Sequence, residues 1–259
     1  MALLERHSLQ ARKAYGQHFL ADANLVDKIV ALAGVGPGDR VVEVGAGTGA
    51  LTVTLAASGA RVVAYEVDER FRPVLAETLK DTPVEVRFED VMKVDWPNAL
   101  DGGPWRLVAN LPYNVGTPLV LELLLAVPQI GSLIVMLQKE VADRLVADPG
   151  TPEYGVPSVV VSLTATTSER FDVPPQVFVP APPVSSTVIR LDRAEPPDRL
   201  ELAVELAKAA FGQRRKMLRR SLAERVSPEE MKEAGIDPST RPEDMAPSDF
   251  VALAEVIRA

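Results

Sequence analysis

Val41-Val42-Glu43-Val44-Gly45-Ala46-Gly47-Thr48-Gly49-Ala50-Leu51-Thr52 is the stretch that decides the architecture. A β-branched apolar run leads into three glycines at alternate positions, then into residues at helical spacing. The expected local structure is a buried strand, a tight turn and a helix start. Glycine lets such a turn bend sharply and lets a ligand approach the backbone closely. The spacing is Gly-x-Gly-x-Gly behind Glu43, which differs from the Gly-x-Gly-x-x-Gly of dinucleotide sites.

Outward from this stretch, short apolar runs alternate with helical ones. Arg40–Val44, Arg61–Glu66, Val84–Phe88, Arg106–Ala109 and Leu133–Leu137 read as buried strands. Leu51–Ser58, Phe71–Lys80, Leu119–Ala126 and Glu140–Ala147 read as helices. Val159–Thr164 and Thr187–Leu191 read as two further strands. The proline-rich loop Val173–Val184 between them is too short for a crossover helix, so this pair is expected to be antiparallel. The sum is a Rossmann-like α/β fold, a seven-stranded and mostly parallel sheet with an antiparallel edge. Ala194-Glu195-Pro196-Pro197-Asp198 reads as a linker. Beyond it only helical periodicity remains, over Leu200–Phe211, Lys216–Arg225, Pro228–Ala234 and Pro247–Ile257. The expected division is residues 1–193 as a catalytic domain and 194–259 as a small all-α domain.

Bulk properties narrow the function classes. The 259 residues contain no cysteine, which excludes disulfides and thiolate metal sites. His7 and His18 form no metal-ligand pattern, so no metal is expected. The start does not read as a signal peptide, and the apolar run near Leu119–Val127 is too short to span a bilayer. A cytoplasmic protein acting as a monomer is the expectation. The net charge of −8 means that a nucleic-acid partner requires a local basic patch. Leu206–Arg225 supplies one, with seven Lys or Arg against one Glu; from Val226 onward eight acids face three bases. Arg214, Arg215, Lys216, Arg219 and Arg220 are the candidate RNA contacts. The alternative is a solvated helix face.

Two further strand ends carry acids. Glu66 closes the second strand, where a carboxylate can accept from both ribose hydroxyls of an adenosine. That feature alone does not separate NAD from S-adenosylmethionine. After the third strand, Asp90 can accept from an adenine amine and the Val91 amide can donate to a ring nitrogen. Asn110-Leu111-Pro112-Tyr113 follows the fourth strand directly. The Asn110 side-chain oxygen and the Leu111 carbonyl can hold both hydrogens of an aromatic amine. That favours a geometry in which its lone pair points at an electrophilic methyl. Pro112 stiffens the turn. Tyr113 can stack on a base, a contact worth ~1–3 kcal/mol. No base is needed before attack, because the proton can leave a cationic product.

With these residues the chain resembles the ribosomal RNA adenine dimethyltransferase family, and within it the bacterial small-subunit (16S) branch, whose loss gives kasugamycin resistance. Further marks are Arg12-Lys13-Ala14-Tyr15-Gly16-Gln17-His18-Phe19-Leu20, Leu137-Gln138-Lys139-Glu140-Val141-Ala142, Phe178-Val179-Pro180-Ala181-Pro182-Pro183-Val184-Ser185-Ser186 and Ala210-Phe211-Gly212-Gln213-Arg214-Arg215-Lys216-Met217-Leu218. The resemblance implies the class I methyltransferase version of the Rossmann-like fold, with S-adenosylmethionine as methyl donor. It implies two methylations on each of two adjacent adenosines, in a hairpin near the 3′ end of small-subunit rRNA within an immature subunit. It also implies cofactor contacts at His18, Leu20, Gly45, Glu66, Asp90 and Asn110, with Tyr113 and Phe178 flanking the target base. Gly47, in the same turn, is expected to lie against the methionine part. The family usually has Asn at the position of His18 and Thr at that of Met217. A large-subunit rRNA dimethyltransferase, a non-catalytic assembly or transcription factor and a small-molecule methyltransferase are the alternatives.

Overall fold

The computed structural model describes residues 2–12, 16–112 and 115–257. Its strands are β1 (Phe19–Leu20), β2 (Arg40–Val44), β3 (Arg61–Glu66), β4 (Glu85–Phe88), β5 (Trp105–Asn110), β6 (Ile130–Gln138), β7 (Ala165–Val173), β8 (Phe178–Val179) and β9 (Ser186–Arg193). Seven of them form one sheet in the order β4-β3-β2-β5-β6-β9-β7. The pairs from β4 to β6 are parallel and β6–β9 is antiparallel. Ser168 bonds Asp192 and Thr187 bonds Asp172, so β7 also runs against β9. The expected mostly parallel sheet with an antiparallel edge is present.

The chain divides into two compact units, Met1–Ala142 with Thr167–Asp192, and Asp143–Thr166 with Arg193–Ala259. In the first, Val41, Leu55, Val62, Val108 and Ile134 are fully or almost fully buried and share one apolar cluster. Each such side chain contributes ~1.5–3 kcal/mol by leaving water. The helix Ala23–Ala33 packs into the same cluster through Val26, Ile29 and Ala33. It carries clear end signals, an Asp22 cap on the Leu25 N–H and a left-handed Gly34.

The second unit requires a correction. Val159–Thr164, expected as a strand, lies in the helix Val156–Thr164. Pro157 occupies its first turn, and Ser158 ties that turn down by accepting from the Gly155 N–H and donating to the Arg144 carbonyl. Val159 joins a helical core with Ala203, Leu206, Leu218 and Phe250. Burial on a helix face outweighs the strand preference of a valine run. The segment Asp143–Thr166, which includes the first two residues of β7, therefore groups with the helices after Arg193 and not with the rest of residues 1–193. A second correction concerns Lys216–Arg225, where only Leu218–Ser221 is helical. The Leu218 and Arg219 N–H groups are taken by the carbonyls of Thr240 and Pro238, which replaces a longer helix by one anchored turn.

Candidate active site

The parallel strands of the first unit end on one side, and there a cleft of about 260 Å³ opens. Ligands bind open α/β sheets at this position. One wall is the glycine turn. The Gly45 and Ala46 N–H groups both donate to the Tyr65 carbonyl, at 2.8 and 3.1 Å, which folds the turn back onto β3. Gly45, Gly47 and Gly49 all have positive φ, at 80°, 54° and 82°. A Cβ on Gly47 would stand 3.2 Å from the Phe19 ring, so the turn and that ring are fitted to each other.

Glu66 is buried at the end of β3. Its Oε2 accepts from the Gly47 N–H at 2.8 Å and its Oε1 from the Asp68 N–H at 2.9 Å. Burial pushes the carboxyl upward, and these two donors oppose the shift. Each oxygen keeps acceptor capacity for a ligand hydroxyl. Asp90 lines the cleft and also caps the following turn, its Oδ1 accepting from the Met92 N–H at 3.1 Å. Val91 opens that turn, so its N–H has no partner within it.

The chain before β1 closes the cleft from the other side. β1 pairs with β8, which sets Leu20 opposite Phe178. His18 donates from Nδ1 to the Pro180 carbonyl at 2.7 Å, and its own carbonyl accepts from Asn110 Nδ2 at 3.2 Å. Gln17 donates to Asp68 at 3.0 Å. Arg70 grips the same carboxylate and holds it below its ordinary range, with Gln17 adding to the effect. His18, Leu20, Gly45, Gly47, Glu66, Asp90, Val91, Asn110, Leu111 and Phe178 thus all line one cleft. Tyr113 lies outside the described residues.

Phe178 does not stand as a free ring. It is 3% exposed and belongs to the apolar cluster of Val26, Val173 and Val188, so it presents little of its surface to the cleft. Gln17, Phe19 and Asp68 are site residues to which the sequence reading assigned no role; the first two sit inside a quoted motif. Four carboxylates line the cleft, Glu43, Glu66, Glu89 and Asp90, with no Lys or Arg among the described lining residues. Such a wall suits a ligand with net positive charge, as S-adenosylmethionine has.

In the second unit Arg214 is tied down, with Nε 2.9 Å from Glu243. Arg215, Lys216, Arg219 and Arg220 are exposed. Leu218 and Leu222 beneath them are fully buried. Arg215 precedes the helical turn that carries Arg219 and Arg220. Among the described residues no group of three His, Asp or Glu could hold a metal ion. Among the described residues no helix is long and apolar enough to cross a membrane.

Comparison with known proteins agrees with this geometry. The profile of the family Ribosomal RNA adenine dimethylase matches residues 8–259. A ribosomal RNA small subunit methyltransferase A of Phenylobacterium zucineum is 47% identical, over 97% of this chain and 90% of its own. A protein of the same name from Caulobacter vibrioides is 46% identical, over 94% and 96%. Among solved structures, a dimethyladenosine transferase from Plasmodium falciparum superposes with a TM-score of 0.78 at 22% identity, covering 91% of this chain and 96% of that one. The 23S rRNA methyltransferase ErmE gives 0.72 at 26% identity, covering 92% and 98%. The chain belongs to the ribosomal RNA adenine dimethylase family and is an S-adenosylmethionine-dependent rRNA adenine dimethyltransferase.

Proposed function

We propose that this enzyme methylates the exocyclic amines of two adjacent adenosines in a hairpin near the 3′ end of small-subunit rRNA, giving dimethyladenosine during ribosome biogenesis. The observation that carries the reading is the setting of Asn110. Its Nδ2 is engaged by the His18 carbonyl, which leaves Oδ1 to accept from a substrate amine at the cleft wall. The Leu111 carbonyl is the second acceptor, and holding both hydrogens directs the amine lone pair along one line. The cofactor supplies an electrophilic methyl on its sulfonium. Glu66 receives the ribose hydroxyls, Asp90 and Val91 the purine, and the open backbone at Gly45 and Gly47 the methionine part. His18 and Leu20 cover the ligand. Tyr113 stacks on the extruded base, while Phe178 supports the wall behind it. After transfer the cationic amine loses its proton to water, so no resident base is required.

The small subunit is favoured over the large because relatives named for the small subunit reach 47% identity, against 26% for ErmE. Arg215, Lys216, Arg219 and Arg220 hold rRNA phosphates, and Arg214 braces their loop through Glu243. The enzyme acts as a cytoplasmic monomer on an immature subunit. Tritiated methyl transfer to purified small and large subunits, followed by nucleoside analysis, tests this. Dimethyladenosine on the small subunit alone is expected; label on the large subunit alone would overturn it.

A further inference from the structure

Glu43 is the penultimate residue of β2, just before the glycine turn, and lines the cleft, yet it is 1% exposed. Its Oε2 is buried without a hydrogen-bond partner. Thr52, in the helix that follows the turn, also has a buried hydroxyl with no well-formed bond. An orphaned carboxyl oxygen on the wall of a ligand cleft is costly, on the order of 1–3 kcal/mol. Ionised, Glu43 would be a buried carboxylate with no counter-charge. Glu66 at the end of β3 opposes ionisation; Glu89, Asp90 and His18 also line the cleft wall. Burial pushes the Glu43 carboxyl up to about 8, Glu66 adds to the shift and the Thr52 hydroxyl counters part of it. At neutral pH the ligand-free protein therefore holds a proton on Glu43.

We propose that Glu43 is a proton-exchanging counter-charge for the cofactor, losing its proton to solvent when the cationic ligand enters, so that binding and proton release are coupled. An opposite charge a few ångströms away favours the ionised form, and low polarity strengthens the effect. The orphaned Oε2 then gains the partner it lacks. The sign follows directly. Because the ionised form binds, affinity rises with pH up to about 8 and levels off above it. Below that point the gain approaches tenfold per pH unit, the limit for one proton. The proposal rests on the cofactor occupying this cleft.

The test is isothermal titration calorimetry of S-adenosylmethionine into the purified protein at pH 7, in buffers of different ionisation enthalpy. Wild type should release close to one proton more per cofactor than Glu43→Gln, in which the titration of the ligand's own amine is unchanged. Glutamine mimics the neutral carboxyl and has no proton to lose on unfolding, so this variant should melt no lower than the wild type at neutral pH. Infrared difference spectra of wild type give an independent measurement, since a carboxylic-acid carbonyl band should be lost on cofactor addition. Equal proton release from the two proteins, or no loss of that band, would overturn the proposal. Glu66→Ala separates the underlying reading. If it binds cofactor as tightly as wild type, the cofactor does not sit here. If it binds weakly while Glu43→Gln still releases the proton, only the role of Glu43 is wrong.

Discussion

Asn110 donates from Nδ2 to the main-chain carbonyl of His18 at 3.2 Å, across 92 positions of sequence. That bond fixes which end of the amide faces the cleft. It also makes the segment before β1 part of the catalytic geometry, since the same segment is held by Gln17 on Asp68 and by β1 on β8. Asn110→Ala removes both the acceptor and this tether. Single-turnover transfer at saturating cofactor should fall ~100-fold, the scale of a lost orientation. Binding of the ribosomal subunit should be nearly unchanged. Transfer at the wild-type rate would remove Asn110 from the chemistry.

Gly47 makes a different kind of contact. Its φ of 54° is strained for any side chain, and its missing Cβ faces Phe19 at 3.2 Å. Gly47→Val must push that ring away and loosen the 2.8 Å bond from its N–H to Glu66. Cofactor affinity measured by calorimetry should drop at least tenfold, while circular dichroism keeps the wild-type spectrum. Normal affinity would mean that the turn does not meet the ligand.

The sequence made the centre of the sheet and the cofactor wall legible, and the physical reason is burial. The strands β2, β3 and β5 are covered on both faces, so Val41-Val42, Val62-Val63 and Leu107-Val108 appear as continuous apolar runs. β7 is an edge strand, mostly exposed, and its Thr166-Thr167-Ser168-Glu169-Arg170 carries no such signal. The valine run before it was more strand-like and proved helical. The strap over the cleft was illegible for another reason. His7–Glu77, Gln17–Asp68 and His18–Asn110 join residues 50 or more positions apart, and no local pattern encodes such partners.

Phe178 and Tyr113 separate packing from stacking. Phe178 is 3% exposed, so Phe178→Ala should act mainly through stability, at ~3–5 kcal/mol. Its thermal midpoint should fall by many degrees. Tyr113→Phe keeps a ring and should retain most activity, whereas Tyr113→Ala should lose transfer without a matching loss of stability. Equal activity of the two Tyr113 variants would argue against stacking.

The raised Glu43 carboxyl also makes the stability of the ligand-free protein depend on pH. The folded chain keeps a proton there up to about 8, whereas the unfolded chain loses it near the ordinary value of 4.5. Between these values the folded state binds more protons, so this group's contribution to stability falls as pH rises. Melting curves from pH 5 to 8 should therefore decline more steeply in wild type than in Glu43→Gln. Parallel curves would show that Glu43 is already ionised when folded.

The basic turn of the second unit gives the last prediction. Arg215 and Arg219 are exposed, whereas Arg214 is paired with Glu243 and Arg225 lies 3.5 Å from Glu205. The buried Leu218 and Leu222 hold the turn from beneath, so changing the arginines should leave the fold intact. Reversing both charges, as Arg215→Glu with Arg219→Glu, should weaken binding to the small subunit and leave cofactor affinity unchanged. Phosphate contacts release counterions, so wild-type binding should weaken with added salt. Each lost contact removes about one unit of logarithmic salt slope, which predicts a slope shallower by roughly two in the double variant. Arg214→Ala should behave differently. It breaks the Glu243 pair and should lower the melting temperature, with a smaller change in salt slope. If the double variant binds with wild-type affinity and slope, these arginines are a solvated surface and the enzyme holds its rRNA elsewhere.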